Sequence, residues 1–342
     1  MGRLPHVRAA KLATMRIVII TPAPPDSRYG NRITAVRWAR ILRRLGNRVS
    51  ISQMYDAEPC DLLVALHARK SHSSVITFRR HNPSAPIIVA LTGTDLYRDI
   101  RRNHRAQESL DISTRIVVLQ PKAIEELRPS WRRKTRVIHQ SVEDKRGPKS
   151  SSAKTKSGKA EARTNGNFNV CVIGHLRAVK DPFRTAMAAR SLPDSSKVRV
   201  LQIGGAMTAA MAKRALKEMD ANERYRWLNE QPRSRVRSLL NRSSLCVLSS
   251  RIEGGANVLS EAIAASVPII ASHVDGNVGI LGNDYPGYFE VGNTKHLARL
   301  LSRAESSPGY LKKLQSSVKR LAVLVDPLRE EQAWSDLINE LN

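Results

Sequence analysis

Two carboxylates, Glu253 and Glu261, lie eight positions apart where an apolar run passes into an amphipathic one. Gly254 and Gly255 lie between them, at the predicted start of a helix. Glycines remove side chains there, so that free backbone N–H groups and the helix dipole can face a diphosphate. A carboxylate two turns later offers only acceptors, which suits the paired hydroxyls of a ribose. The spacing favours a nucleotide-sugar site, but an ordinary strand–turn–helix with a surface glutamate has the same pattern.

Two cations follow the first predicted strand of the second half. Arg177 and Lys180 come just before a helix that Asp181 is predicted to cap, with Pro182 at its first position. Such a pair is usually solvated. Beside the Gly-Gly turn, however, it would stabilise the charge that develops on a leaving nucleoside diphosphate. The sequence has no Asp-x-Asp pair, so we expect protein cations in place of a chelated metal, and no cofactor.

Polar residues also follow the predicted strands of the first half, at His67 and Asp95 among other positions. In open parallel sheets, ligands bind beyond the carboxyl ends of the strands. His67 and Asp95 are therefore candidates for catalysis. The alternatives are a hydrogen-bonded structural histidine and a helix-capping aspartate.

Strand-like runs alternate with helical segments along the whole chain, which predicts parallel α/β sheets in two Rossmann-like halves. The predicted strands are 16–21, 61–67, 86–92, 115–119, 136–139, 169–173, 197–203, 245–250 and 268–272. The predicted plan is a basic N-terminal extension at 1–14, a first domain at 15–141, a basic flexible linker at 142–167, a second domain at 168–325 and a C-terminal helix at 326–342. Asp326 is the expected N-cap of that helix and Pro327 its first residue, and one expected course for it is back onto the first half.

The formal net charge is +27, from 57 Lys and Arg against 30 Asp and Glu, so an anionic partner must be considered. Aromatic residues are only 4% and no nucleic-acid motif occurs, so we expect no specific nucleic-acid partner. No apolar run is long enough to span a membrane, and the three cysteines are far apart. These features predict a cytoplasmic protein with reduced thiols.

The Glu-x7-Glu pair, the Gly-Gly turn and the two cations resemble the retaining GT-B glycosyltransferases of family 4. More specifically, the chain from residue 15 to nearly its end resembles the selenosugar synthases of bacterial selenoneine biosynthesis. The segments that carry this resemblance are 21–25 (TPAPP), 30–35 (GNRITA), 65–69 (ALHAR), 91–98 (LTGTDLYR), 174–182 (GHLRAVKDP) and 253–258 (EGGANV).

The resemblance implies a GT-B fold, with two Rossmann-like domains whose parallel sheets face a central cleft. It also implies that selenophosphate attacks the anomeric carbon of UDP-N-acetylglucosamine, that UDP leaves, and that loss of phosphate gives a 1-selenosugar. A nucleophile with no proton to lose needs no general base.

By the same resemblance, Arg177 and Lys180 neutralise the phosphates, Glu261 holds the ribose and Glu253 contacts the sugar. The nucleotide-sugar-binding residues would be Gly174, His175, Gly254, Gly255, Ala256, Asn257 and Glu261. We further infer that the first-half loops bind selenophosphate. Their candidate residues are Arg28, Gly30, Asn31, Arg32, Thr34, Arg69, Lys70, Thr92, Gly93 and Thr94.

Two other functions stay open. A glycosyltransferase with an oxygen acceptor would share every donor-site feature, and transfer to an alcohol would identify it. A basic nucleic-acid-binding module without catalysis would show salt-dependent binding and no release of UDP.

Overall fold

The computed structural model describes residues 14–143 and 166–341. The predicted extension lies outside this part of the chain except for Thr14, and so does the predicted linker except for its two ends. No helix in the described part has the length and apolar character needed to cross a bilayer. All three cysteines are free and buried.

Within residues 14–143 and 166–341, twelve strands form two parallel sheets of six strands each, and the alternating sequence pattern predicts such sheets. The first sheet contains β1 (Arg16–Ile20), β2 (Arg48–Ser52), β3 (Leu62–Leu66), β4 (Ile87–Leu91), β5 (Arg115–Val118) and β6 (Thr135–Val137). The second contains β7 (Phe168–Ile173), β8 (Val198–Ile203), β9 (Tyr225–Trp227), β10 (Leu245–Leu248), β11 (Ile269–Ser272) and β12 (Tyr288–Phe289).

The strand orders are β2-β1-β3-β4-β5-β6 and β12-β11-β10-β7-β8-β9. The order reverses between β1 and β3 in the first sheet and between β7 and β10 in the second. Connections leave such a switch point in opposite directions, which opens a crevice beyond the carboxyl ends of the two strands. The fold therefore provides one crevice in each half.

Helices cover both sheets. Those of the first half are α1 (Gly30–Arg44), α2 (His72–His81), α3 (Ile100–Arg102), α4 (His104–Ile112) and α5 (Pro129–Arg132). Those that follow are α6 (Arg184–Arg190), α7 (Ala209–Ala221), α8 (Arg233–Asn241), α9 (Asn257–Ala264), α10 (Asp275–Leu281), α11 (Thr294–Ser306), α12 (Pro308–Arg320) and α13 (Pro327–Asn339). A π-helical turn at Asp95–Asp99 and short 3₁₀ turns at Pro121–Glu126, Ala178–Lys180 and Ala322–Val325 complete the set.

The helix predicted to begin at Pro182 begins at Arg184 instead, so the assignment of Asp181 as its cap is wrong. Asp181 follows the 3₁₀ turn with a left-handed backbone, at φ +43°, which a capping residue does not adopt. Its carboxylate accepts a hydrogen bond from Arg184 Nε at 3.0 Å. The segment that carries Arg177 and Lys180 is therefore a tight 3₁₀ turn rather than the lead into a capped helix.

The last helix packs on the first sheet. The Asp326 side chain accepts a hydrogen bond from the Leu328 backbone N–H at 2.9 Å, and Pro327 occupies the first helical position, as predicted. Trp334 is fully buried against Trp38 of α1, with ring centroids 4.9 Å apart. The C-terminal segment thus supplies part of the first half's core.

Candidate active site

A cleft of about 600 Å³ lies between the two halves. Its walls include the loops after β1 and β3 on one side and after β7 and β10 on the other, which are the two switch points of the fold. Loops after neighbouring strands of both sheets complete the lining. The predicted site residues that line it are His67, Arg177, Lys180, Glu253, Gly174, His175, Gly254, Gly255, Ala256, Asn257, Glu261, Arg28, Gly30, Asn31, Thr34, Lys70, Thr92, Gly93 and Thr94. Arg32, Arg69 and Asp95 lie outside the lining.

An ion pair stands on the second-half wall. The Lys180 ammonium is bonded to Glu253 Oε1, and the same oxygen accepts from Ser250 Oγ at 2.5 Å. The Glu253 side chain is 8% exposed and that of Lys180 is 22% exposed. Arg177 is exposed in the same turn. In this turn, Lys180 is therefore a compensated cation and Arg177 a solvated one.

The Gly-Gly turn brings the halves together. A Cβ on Gly254 would lie 2.6 Å from the backbone of Thr92 and of Gly93 in the first half, and one on Gly255 would lie 2.5 Å from Leu119 Cβ. Real Cβ atoms do not approach other atoms so closely. Packing across the cleft therefore requires glycine at both positions. This requirement comes in addition to the access of backbone amides to a diphosphate, which was the reason inferred from the sequence.

Glu261 faces the cleft from the second turn of α9. Burial raises the pKa of its carboxyl, while the charges of Arg233, Arg37 and Arg237 act to lower it. Among these cations, Arg233 also lines the cleft. The carboxylate thus lies in a half-buried position within the field of several arginines, where it can accept hydrogen bonds from hydroxyl groups.

The first-half wall is built around His67, which ends β3 with a left-handed backbone, at φ +77°. Such a conformation is costly for a residue with a side chain and is often found at functional sites. The imidazole is buried. Its Nε2 lies 3.4 Å from Thr94 Oγ1 and 3.9 Å from Asp99 Oδ2. Lys70 lies one turn after His67 and also faces the cleft.

Asp95 is fully buried and has a positioning role. Its carboxylate accepts hydrogen bonds from the backbone N–H groups of Thr92 (3.1 Å), Gly93 (2.9 Å) and Ala68 (3.1 Å). Asp95 is not the helix cap that the sequence suggested, because the N-cap of the turn that follows is Thr94. It instead holds the backbone of two loops that shape the cleft, and its Oδ2 lies 3.8 Å from Nδ1 of the cleft residue His67.

The two predicted acceptor cations outside the cleft have other partners. Arg32 Nε donates to the Pro25 carbonyl at 3.0 Å, and Arg69 Nε lies 2.8 Å from Asp99 Oδ2. Arg28 does line the cleft, but it spans its mouth: it donates to the Gln231 carbonyl at 2.7 Å and pairs with Glu230 at 3.4 Å. Tyr29 beside it stacks edge-on with His175, with centroids 5.3 Å apart.

Gln140 and Arg233 are among the cleft residues that were not predicted from the sequence. Gln140 lines the cleft at the end of the first half, where no motif marks it. Arg233 begins α8, shortly after β9, a three-residue strand that was not predicted. The end of β9 is the sequence signal that could have identified Arg233. In the described part of the chain, no three His, Cys, Asp or Glu side chains are grouped to hold a metal ion.

Residues 154–321 match the family of glycosyl transferases group 1. The "Glycosyltransferase 1 domain-containing protein 1" of Xenopus tropicalis is 26% identical over 150 residues, which are 44% of this chain and 43% of that protein, so the match spans less than half of the relative's length.

Solved structures are similar over nearly the whole chain. Anabaena HepE in complex with UDP has a TM-score of 0.74 at 12% identity, covering 96% of this chain and all of HepE. Sucrose-phosphate synthase from Thermosynechococcus elongatus has a TM-score of 0.76 at 15% identity, covering 95% and 98%. The chain therefore has the GT-B fold, and its segment 154–321 is similar to the group 1 glycosyl transferases.

Proposed function

We propose that this protein is a UDP-sugar-dependent glycosyltransferase that forms a carbon–selenium bond, with UDP-N-acetylglucosamine as donor and selenophosphate as acceptor. The family match and the cleft at both switch points support the transferase activity. UDP and UDP-glucose are bound by the structurally similar HepE, which supports a UDP-sugar donor.

One observation carries the proposed acceptor. Within the described residues, the first-half wall of the cleft contains Arg28, Lys70 and His67 but no aspartate or glutamate. The carboxylates beside His67 are Asp95 and Asp99, which are engaged with backbone amides and with Arg69. Glu230 of the opposite wall pairs with Arg28. A wall with cations and no carboxylate base suits an acceptor that is anionic and already deprotonated.

The second-half wall would hold the donor. Arg177, Lys180 and the N-terminal amides of α9 would face the diphosphate, and Glu261 would accept from the ribose hydroxyls. A diphosphate that enters the cleft competes with Glu253 for Lys180. Glu253 would then be released to accept from a sugar hydroxyl, so one event would prepare both the leaving group and the sugar.

In the reaction, the selenium lone pair forms a bond to the anomeric carbon while the carbon–oxygen bond to UDP breaks, and UDP takes the bonding electrons. Cations on both walls screen the repulsion between the approaching anion and the departing one. Hydrolysis of the selenium–phosphorus bond by water then gives the selenol of the sugar and inorganic phosphate.

A transferase with an alcohol acceptor is the second candidate, favoured by His67. Its buried imidazole lines the cleft and could remove a proton from a hydroxyl.

The test is an anaerobic incubation of the protein with UDP-N-acetylglucosamine and selenophosphate, following UDP release and the selenium isotope pattern of the sugar by mass spectrometry. We expect a selenosugar whose formation requires both substrates. UDP release that is independent of selenophosphate, or transfer to an alcohol, would overturn the selenium assignment and favour the second candidate. Absence of UDP binding would overturn the transferase proposal itself.

A further inference from the structure

A buried polar network connects both chain crossings between the halves with the helix that carries Glu261. Its centre is Glu330 of α13, whose side chain is completely buried. Glu330 accepts hydrogen bonds from Trp38 Nε1 at 2.8 Å and from the Ser141 backbone N–H at 2.8 Å, and it also bonds the Ser141 hydroxyl. Ser141 lies where the chain leaves the first domain, and α13 is where it returns.

Arg37 of α1 extends this network to the donor wall. Its Nε lies 3.1 Å from Glu330, and its side chain is 8% exposed. Its terminal NH1 donates to Asn257 Oδ1 at 2.9 Å. The Gln140 side-chain amide is oriented with its nitrogen toward α9 and its oxygen toward Arg37. The nitrogen donates to Asn257 Oδ1 at 3.0 Å and to the Gly255 carbonyl at 3.1 Å, and the oxygen accepts from Arg37 at 3.3 Å.

Asn257 is the first residue of α9, and no side chain within the helix caps that end. The only side-chain bonds described for its Oδ1 come from the first domain. Glu261 follows four residues later, hence on the same face of the helix. Whatever fixes Asn257 therefore also fixes the direction in which Glu261 faces the cleft.

We infer that Arg37 is a positioning residue for the donor: held by Glu330, it fixes the start of α9 through Asn257 and so aims Glu261 at the nucleotide. The inference rests on the proposed function in one respect, because the aim of Glu261 matters only if a nucleotide binds. It adds that a residue of the opposite domain sets the affinity for the donor. The donor site is complete only while the two halves are in contact.

Removing Arg37 alone would leave Glu330 buried without its cation, which by itself destabilises a fold. The test therefore uses two variants. The double variant Arg37→Met/Glu330→Gln removes both charges, and Arg37→Lys keeps the positive charge but loses the planar guanidinium that bonds two partners at once. The control is Arg40→Met, one turn further along α1, where an exposed arginine pairs with Glu143 at 3.4 Å.

Binding of UDP is measured by calorimetry, KM for donor and acceptor by steady-state kinetics, and folding by thermal unfolding. We expect the double variant to bind UDP about tenfold more weakly, which is the effect of losing a hydrogen bond from a charged group. The donor KM should rise in proportion while the acceptor KM stays within about twofold. The UDP affinity of Arg37→Lys should lie between those of the wild type and the double variant, and that of Arg40→Met should equal the wild-type affinity.

Wild-type UDP affinity in a folded double variant, or in Arg37→Lys if the double variant does not fold, would overturn this inference and leave the proposed function intact. Equal rises in donor and acceptor KM would also overturn it, because they would indicate general loosening of the cleft. A wild-type protein that binds no UDP would overturn both proposals.

Discussion

The two halves hold their cleft-facing loops with different chemistry. In the first half, the Asp95 carboxylate is buried and accepts from three backbone N–H groups. In the second half, Glu253 is nearly as buried but is bonded to the Lys180 ammonium and the Ser250 hydroxyl. One carboxylate is thus tied to backbone and the other to side chains.

This difference separates a fixed wall from an adjustable one. Backbone amides cannot turn away without unfolding the loop, so Asp95 has no freedom to exchange partners. Lys180 has a flexible stem and can move to a phosphate, which leaves Glu253 free for another partner. A cleft that must accept and release a charged donor benefits from one wall of each kind, because the fixed wall sets the geometry into which the other adjusts.

The largest effect should follow from Asp95→Ala. One buried and two partly buried N–H groups would lose their acceptor, and we expect the free energy of unfolding to fall by about 3 kcal/mol or more. Urea denaturation followed by circular dichroism measures this loss. Glu253→Gln keeps an acceptor for Ser250 and leaves a lysine whose flexible stem can reach water, so the loss should be about 1.5 kcal/mol, near that of one hydrogen bond to a charged group. Equal losses in the two variants would contradict the distinction between the walls.

A methyl group at the contact between the walls should reduce turnover next most strongly. In Gly254→Ala the new Cβ would press on the backbone of Thr92 and Gly93. Displacing one wall by about 1 Å should lower kcat/KM about a hundredfold. The matched control is Gly309→Ala in α12, whose Cβ would meet no atom within 4 Å. A Gly254→Ala enzyme with normal kcat/KM would show that contact at this point is dispensable.

Glu261→Gln should weaken UDP binding about tenfold and raise thermal stability at neutral pH. Because burial raises the pKa of Glu261, the native state binds this proton more tightly than the unfolded state does. The contribution of this carboxyl to the free energy of unfolding therefore falls as the pH rises above the ordinary pKa of a glutamate. The Tm gain of the variant should be larger at pH 7.5 than at pH 5. A gain that is greatest at pH 5 would reverse the assigned direction of the pKa shift.

The smallest effect should come from Arg69, the neighbour of Lys70 on the same loop. Arg69 pairs with Asp99 outside the cleft lining, whereas Lys70 faces the cleft. We expect Arg69→Met to change acceptor KM by less than about twofold and Lys70→Met to raise it several-fold, since a partly exposed cation contributes about 1 kcal/mol to binding an anion. Steady-state kinetics on both variants measures these KM values. A wild-type acceptor KM in both variants would mean that neither cation contacts the acceptor.

Features encoded in short stretches were predictable. The alternation of apolar strands and amphipathic helices predicted two parallel sheets, and the sheets are present. The turn at Gly254 and the cations at Arg177 and Lys180 were found because each lies within a few residues of a strand end. The Pro327 helix was recognised by its cap and its first residue, which are local signals.

Features that depend on contacts between residues far apart in the sequence were not predictable. Asp95 and Lys70 look equally suited to a ligand in the sequence, and only tertiary structure turns one toward backbone and the other toward the cleft. The edge strand β2 is partly exposed and has no apolar run. The role of Gln140 rests on residues more than a hundred positions away, so no spacing rule could indicate it.

The return of α13 to the first sheet has a consequence for how the molecule is made. Synthesis proceeds from the N-terminus, and domains generally fold in that order. Here Trp334, Leu337 and Ile338 are buried in the core of the first half, yet they are synthesised after the whole second sheet. The first domain is therefore begun before the second half and completed after it, and a chain that stops before α13 would expose Trp38 on an otherwise finished sheet. We expect a ribosome-bound chain lacking α13 to be cut by protease within its first half and the released full chain to resist.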